Sequence, residues 1–505
     1  MKNMRKIASI LLALVMVFAL AAPVFAAEAD LSGHTYKAYQ IFAGTQAKDN
    51  ATLGNITWGS GINADAFLAD LKADEKIGSV FAECETAADV AEVLTGWADK
   101  SENAEAFAKV AYDHIIASAG IDCVNGTTSL NAGYYLVVDV TDFEEGATNT
   151  VYNLALLQLT NKGTFEIANK TDVPEFEKKV KDINDTTDAG CSDWQDSADH
   201  DIGDDVPFQL KATLASNVND YDTYKVVFHD TLSAGLTFNA DSVKVYVDGN
   251  LVTSGYTLIT DCDDNCTFEV VINDAKAIGA GNSSIITVEY TAELNENAVL
   301  GSAGNPNVAY LEYSNNPNWK GDGDNQPGTP GDEEPPTGET PEDKVIVFTY
   351  KVVVNKVDEA GEALEGAGFT LYKKNAAGEY VAIGEELVGG EMTTFEWKGL
   401  DDGDYKLVET TTPAGYNTIE PIEFTITAEH EILSDDPRLT SLTGGVLFTG
   451  EVSTGAVSAD VENKSGVQLP ETGGMGTTIF YTMGAMMALG AAVLLITKKR
   501  MGIAE

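Results

Sequence analysis

A chain of 505 residues with 79 acidic side chains against 31 basic ones carries a formal net charge of −48. So acidic a surface repels nucleic acid and anionic lipid, which excludes both as partners, and its plain reading is the solubility of an exposed protein. Hydrophobic residues at 44% and charged residues at 22% are ordinary for globular domains, so the chain is expected to fold, with length for about three domains.

Residues 1–26 read as a secretory leader. Lys2, Arg5 and Lys6 precede an apolar stretch from Ile7 to Ala22, and Val24-Phe25-Ala26 ends it as a small-residue cleavage site. Residues 27–172 form a first unit. His34 to Phe42 alternates tyrosines with apolar residues, as a strand does. Asn63 to Ala73, Ala87 to Ala98 and Ala104 to Ala119 are instead Ala-rich with helical spacing, such as Val90, Val93, Leu94 and Trp97. Strands return at Gly133 to Val138 and Tyr152 to Leu159, so this is a β-rich domain with a helical insertion.

Residues 173–320 carry almost no helical signal. Phe208–Thr213, Tyr224–Phe228, Val243–Val247, Thr267–Ile272, Ile285–Tyr290 and Val308–Tyr313 are short β-prone runs separated by Gly, Asn and Asp turns. Residues 321–343, dense in Pro, Gly, Glu and Asp, are too polar to bury themselves and read as a linker. Residues 344–465 are again all β, with strands expected over Val345–Val354, Phe369–Tyr372, Thr393–Trp397, Tyr405–Glu409 and Ile422–Ile426. In the last segment, 466–505, Thr478 to Ile496 is 19 residues without a charge, long enough to span a bilayer as a helix. Lys498-Lys499-Arg500 then holds that end in the cytoplasm.

Cys84, Cys123, Cys191, Cys262 and Cys266 are too sparse for a disulfide scaffold, although Cys262 with Cys266, or Cys84 with Cys123, are possible pairs. No Cys/His spacing suggests zinc, and the five histidines are scattered, so neither a metal nor a cofactor is expected. No GxSxG, HExxH or glycosidase-like carboxylate pair occurs in context, which argues against an enzyme.

Leu469-Pro470-Glu471-Thr472-Gly473, placed before the apolar span and the basic tail, resembles the LPxTG sorting signal of Gram-positive surface proteins. The resemblance implies that a sortase cysteine attacks the Thr472 carbonyl and releases the chain from Gly473 onward. Lys356-Val-Asp358, Leu364 to Tyr372 and Gly403 to Tyr416 resemble the CnaB-type domain. Glu177 to Asp182, His229 to Leu236 and Asn305 to Pro317 resemble the middle isopeptide domain of SpaA-like major pilins, and the first unit resembles their N-terminal domain. The expected fold is therefore dominated by β structure: tandem immunoglobulin-like, CnaB-type sandwiches, a first domain with a helical insertion and a C-terminal transmembrane helix.

Residue phase adds to this. Lys356 is in phase with Val352 and Val354, and Lys178 with Phe176 and Val180, so both amines point into a core, whereas Lys179 faces solvent. Burial lowers a lysine pKa and yields a neutral nucleophile. In the resembling families that amine attacks an Asn amide, expels ammonia and leaves an isopeptide bond, with a buried acid moving the protons. By motif the acids are Asp230 and Glu409, and the amides are Asn307 and Asn463. Asn307 is in phase with Ala309, Leu311 and Tyr313, and Asn305 is its alternative.

The same resemblance implies a lysine near the first domain junction that takes the acyl group from Thr472 of another subunit. The family's Tyr-Pro-Lys motif is missing here. Lys170 is chosen, with Lys162 and then Lys179 as alternatives. The implied partners are a class C-type pilus sortase, a housekeeping sortase, further copies of this chain and peptidoglycan, with accessory pilins and host surface ligands also to be considered. The implied location is the cell surface, anchored to the wall after transient membrane anchoring. The leading function is the backbone subunit of a covalent pilus; the alternative is a wall-anchored adhesin or accessory pilin, with 63–119 as its ligand surface.

Overall fold

The computed structural model of the chain describes residues 34–47, 52–98, 101–123, 128–144, 146–163, 172–187, 190–319, 336–465, 481–489 and 491. The expected leader and LPETG motif lie outside these residues. So does most of the expected span, of which 481–489 is helical. Among the described residues no helix is long and apolar enough to cross a membrane.

In the first unit the strands Leu53–Trp58, Tyr36–Gln46, Gly133–Asp139 and Leu154–Leu159 lie side by side in that order, and Ile121–Cys123 also pairs with Tyr36–Gln46. The expected insertion is four helices, Ala64–Ala73, Gly78–Phe81, Ala87–Leu94 and Glu102–Tyr112. Thr86 and Asp89 form a reciprocal cap at the third helix, satisfying backbone N–H groups that the first turn leaves free. Phe67, Leu71, Phe81, Val90 and Phe107 pack against Ile41, Phe42 and Leu136 of the sheet. The helix expected over 104–119 stops at Tyr112, because Ile115 bridges to Ile62 and draws the chain extended. Cys84 lies in this helical core and Cys123 in a separate cluster around Tyr36 and Tyr135; all five cysteines are free.

The second unit is a sandwich. One sheet runs Asn250–Val252, Leu236–Val247, Ile285–Leu294, Asp205–Thr213, Glu175–Val180. The facing sheet runs Thr257–Ile259, Phe268–Ile272, Val226–Leu232, Asn305–Ser314, Asp343–Phe348, Ser197–Asp199. The single strand expected over 345–354 is instead two. Asp343–Phe348 pairs within the second sandwich, and after the buried Thr349 the chain enters the third as Tyr350–Val357. One long apolar run thus serves two sheets, which its composition alone does not reveal.

The third unit has one sheet ordered Thr394–Leu400, Tyr350–Val357, Ala456–Glu462, Thr449–Glu451. Its other sheet is ordered Tyr380–Ala382, Gly368–Lys374, Gly403–Thr411, Ile422–His430, Leu439–Thr443. Tyr350–Val357 and Ala456–Glu462 run parallel, so the first and last long strands are neighbours.

Candidate functional site

Strand alternation places the second sandwich's polar side chains inside. Lys178 is in phase with buried Val180, Asp230 with Phe228, Asn307 with Ala309 and Leu311, and Tyr290 with Val288 and Ala292. All four are sealed from water: Lys178, Asp230 and Asn307 have no exposed surface, and Tyr290 is 2% exposed. Lys178 and Tyr290 come from one sheet, Asp230 and Asn307 from the other.

Lys178 Nζ donates to Asp230 Oδ2 at 2.5 Å and to the Tyr290 hydroxyl at 3.0 Å. The Tyr290 hydroxyl donates to Asp230 Oδ2 at 2.7 Å and accepts from Asn307 Nδ2 at 2.8 Å. One hydroxyl thus touches the amine, the acid and the amide. Asp230 Oδ1 and Asn307 Oδ1 are buried with no hydrogen bond. Burial pulls the Lys178 amine below its usual range, against the pull of Asp230, and pushes the Asp230 carboxyl up, against Lys178. Both shifts favour the uncharged forms, amine and carboxylic acid.

The alternative amide, Asn305, is equally buried but fully occupied. Its Nδ2 donates to the carbonyls of Val299 and Val347, each at 3.1 Å, and its Oδ1 accepts from Val299 N at 2.8 Å. Asn307 is the amide that meets the Lys178 cluster.

In the third sandwich Lys356 and Asn463 have no exposed surface and Glu409 is 4% exposed. Lys356 Nζ donates to the carbonyls of Val357 and Val461, each at 2.8 Å. Val461 is its register partner on the parallel strand, and Asn463, two residues on, donates its backbone N–H to Val357 O at 3.0 Å. Asn463 Nδ2 donates to Glu409 Oε1 at 2.9 Å and Oε2 at 3.2 Å, and to Asn417 O at 2.9 Å. Glu409 Oε2 also accepts from Ile419 N at 3.0 Å. Burial pushes the Lys356 amine down to about 8, with Glu409 opposing.

The chemical capability follows. Each sandwich holds an amine that burial shifts toward its neutral form, a primary amide and a carboxyl group able to exchange protons with one of them, all shielded from water. Strand alternation or motif found all six of these residues in the sequence. It missed Tyr290, because a tyrosine in an alternating core strand reads as packing, and it missed the strand Ala456–Glu462 that delivers Asn463.

The junction lysines are less well placed. Lys170 lies outside the described residues, Lys162 is exposed, and Lys179 is half-buried and ion-paired with Asp196. The sequence also showed no metal-like spacing, and here the fold differs. It gathers His229 with Asp264, Cys266 and Glu269, and Asp199 with Asp401 and Asp402, from segments far apart in the chain.

Residues 350–436 match the SpaA prealbumin-like fold domain, and residues 461–501 match the LPXTG cell wall anchor motif. The chain is 26% identical over 396 residues, 66% of its length and 70% of the relative's, to the trypsin-resistant surface T6 protein of Streptococcus pyogenes serotype M6. Among solved structures, the T6 backbone pilin of the same organism aligns at 17% identity and a TM-score of 0.49, covering 87% of this chain and 98% of that one. The major pilin SpaD of Corynebacterium diphtheriae aligns at 17% identity and a TM-score of 0.42, covering 86% and 90%. This chain therefore carries a SpaA-type prealbumin-like domain and an LPXTG anchor motif, and it is a cell-wall-anchored surface protein.

Proposed function

We propose that the chain is the backbone subunit of a covalent surface pilus, joined to further copies by a sortase and stiffened by two internal isopeptide bonds, Lys178–Asn307 and Lys356–Asn463. The observation that carries this reading is the repetition of one buried constellation, lysine, acid and asparagine, in two successive sandwiches. The likeness to a surface protein described as trypsin-resistant agrees with a covalently stitched fold.

In each bond the lysine nitrogen attacks the amide carbon of the asparagine. A C–N bond forms, the bond to Nδ2 breaks, and the nitrogen leaves as ammonia after taking one proton that the attacking lysine nitrogen gives up. No oxidant or cofactor takes part. In the second sandwich Asp230 receives the amine's proton, and Tyr290 contacts both the attacking and the leaving nitrogen. In the third, Glu409 already holds the leaving Nδ2. Each reaction happens once per molecule and makes a structural link, so the chain is a sortase substrate and not a turnover enzyme.

The links close residues 178–307 and 356–463 into loops. By analogy with disulfides of similar loop length, each restricts the unfolded chain by about 4–5 kcal/mol. Pulling on the ends would then load covalent bonds instead of hydrogen bonds worth about 1 kcal/mol each. Between subunits, a pilus sortase would carry Thr472 as a thioester and pass it to Lys170 of the next copy. A housekeeping sortase would attach the basal copy to peptidoglycan.

Intact mass tests the internal bonds. The wild-type chain should be lighter than its sequence by one ammonia per bond, and Lys178→Ala and Lys356→Ala should each restore one. A wild-type mass equal to the sequence mass refutes the reading. For polymerisation, Lys170→Ala should erase the high-mass ladder of cell-wall extracts, and an intact ladder rules that lysine out.

A further inference from the structure

The strand Asp343–Phe348 lies past the linker, yet it touches both reacting strands of the second sandwich. Toward the amide it pairs with Asn305–Ser314, where Val345 stands directly across from Asn307 and Asp343 across from Ala309. Toward the amine its contact is a side chain. Asp343 Oδ2 accepts the backbone N–H of Lys178 at 2.7 Å, and Oδ1 accepts the N–H of Lys344 at 2.8 Å.

The bond to Lys178 joins the two sheets. Glu175–Val180 is the edge strand of the opposite sheet, where its neighbour is Asp205–Thr213. Lys181, just past its end, donates its N–H to Pro207 O on that side, whereas Val180 donates to Gln195 O on the other. Alternation turns the Lys178 N–H the same way as that of Val180, off the paired side. Lys178 has no exposed surface, and a buried N–H without a partner is costly. Asp343 supplies that partner. It fixes the backbone from which the Lys178 side chain extends to Asp230 and Tyr290.

We propose that Asp343 is a positioning residue for the Lys178–Asn307 bond, its carboxylate tying the amine's strand to the strand that flanks the amide. This rests on the crosslink reading above and adds a residue to it. Both oxygens of Asp343 bind backbone N–H groups, so it orients the nucleophile and does not carry the reacting proton. Its charge works the other way. Burial lowers the Lys178 amine, while Asp230 and then Asp343 pull it back up. Placement by Asp343 therefore favours attack, and its charge opposes it. The second centre is also complete only once the strand beyond the linker has docked, so residues 173–320 do not by themselves hold the reacting geometry.

The test refolds the full chain from an unfolded, uncrosslinked state and follows ammonia loss by intact mass, with peptide mapping assigning each bond. Asp343→Ala should slow the Lys178–Asn307 bond by about ten- to a hundredfold, the scale on which a misplaced reacting group shows. The Lys356–Asn463 bond should keep its wild-type rate in the same molecules. Asp343→Asn keeps an oxygen for the Lys178 N–H and drops the charge, so it should form the second bond at least as fast as wild type. Asp343→Glu keeps the charge but displaces the carboxylate by a methylene, and it serves in place of Asp343→Ala if that variant does not refold. The proposal is overturned if the folded Asp343→Ala chain, or Asp343→Glu in its place, forms the second bond at the wild-type rate. It is equally overturned if Asp343→Asn is as slow as that variant. A wild-type chain that keeps both ammonias refutes the crosslinks themselves, and the role of Asp343 with them.

Discussion

The two proposed crosslinking centres each combine a lysine, a carboxylic acid and an asparagine, yet the acid is placed on opposite reactants. In the second sandwich Asp230 sits on the amine, and the hydroxyl of Tyr290 connects the pair to Asn307. In the third, Glu409 sits on the amide, and Lys356 is held by backbone carbonyls alone. The difference follows from topology. In the second sandwich the lysine must reach across from one sheet to the other, where acid and amide both lie. In the third the lysine and the asparagine are neighbours on parallel strands, and only the acid comes from across the core. The second centre thus has an internal proton acceptor for the amine, whereas the third must lose that proton by another route.

Removing the acids should separate the two most sharply. Asp230→Ala should abolish the Lys178–Asn307 bond and leave a buried amine without its ion partner, a loss of about 3–5 kcal/mol. Glu409→Ala should abolish the other bond at a smaller cost in folding, because Lys356 keeps both of its carbonyl partners. Intact mass and Tm of the two variants check this; equal loss of stability would break the comparison.

Tyr290→Phe comes next in size. It removes the hydroxyl that touches all three groups, so the bond in the second sandwich should form more slowly while that in the third forms at the wild-type rate. The polar groups left unpaired should cost about 1–3 kcal/mol. The time course of ammonia loss after refolding reads the rate, and an unchanged course would reduce Tyr290 to packing.

The smallest effect is in pH dependence. Attack needs the neutral amine, and Lys356 is pushed down to about 8, so bond formation in the third sandwich should accelerate as pH rises through that value. The linked stability has the same sign. In Asn463→Ala, which cannot crosslink, the folded amine releases its proton at about 8 while the unfolded amine holds it to the ordinary lysine range. The unfolded state then binds more protons across that window, so stability should rise with pH above about 8. Denaturant midpoints of this variant on either side of pH 8 test the sign. The second centre passes its proton to Asp230 internally and should show the weaker dependence.

Much of this was legible in the chain because strand alternation is a strict rule. Lys178, Lys356 and Asn307 each fall on the inward phase of an apolar strand, and a polar residue there stands out. Glu409 and Asn463 needed the likeness to known domains, since an acid on an alternating strand is unremarkable and the strand before Asn463 is rich in Ser, Ala and Asp. Tyr290 was hidden by being an ordinary core residue in all but its hydroxyl. The carboxylate cluster at the junction of the two sandwiches was hidden for a different reason. Asp199, Asp401 and Asp402 approach only because Asp343–Phe348 pairs with Ser197–Asp199 and so draws one sandwich's edge against the other's turn. Composition and spacing carry no trace of that pairing.

The central claim is that both buried amines become amides. Peptide mapping of the exported wild-type chain by tandem mass spectrometry tests it most directly. Two branched peptides are predicted, one joining Lys178 to Asn307 and one joining Lys356 to Asn463, each lacking one ammonia. Recovery of linear peptides containing unmodified Lys178 and Lys356 would contradict the account.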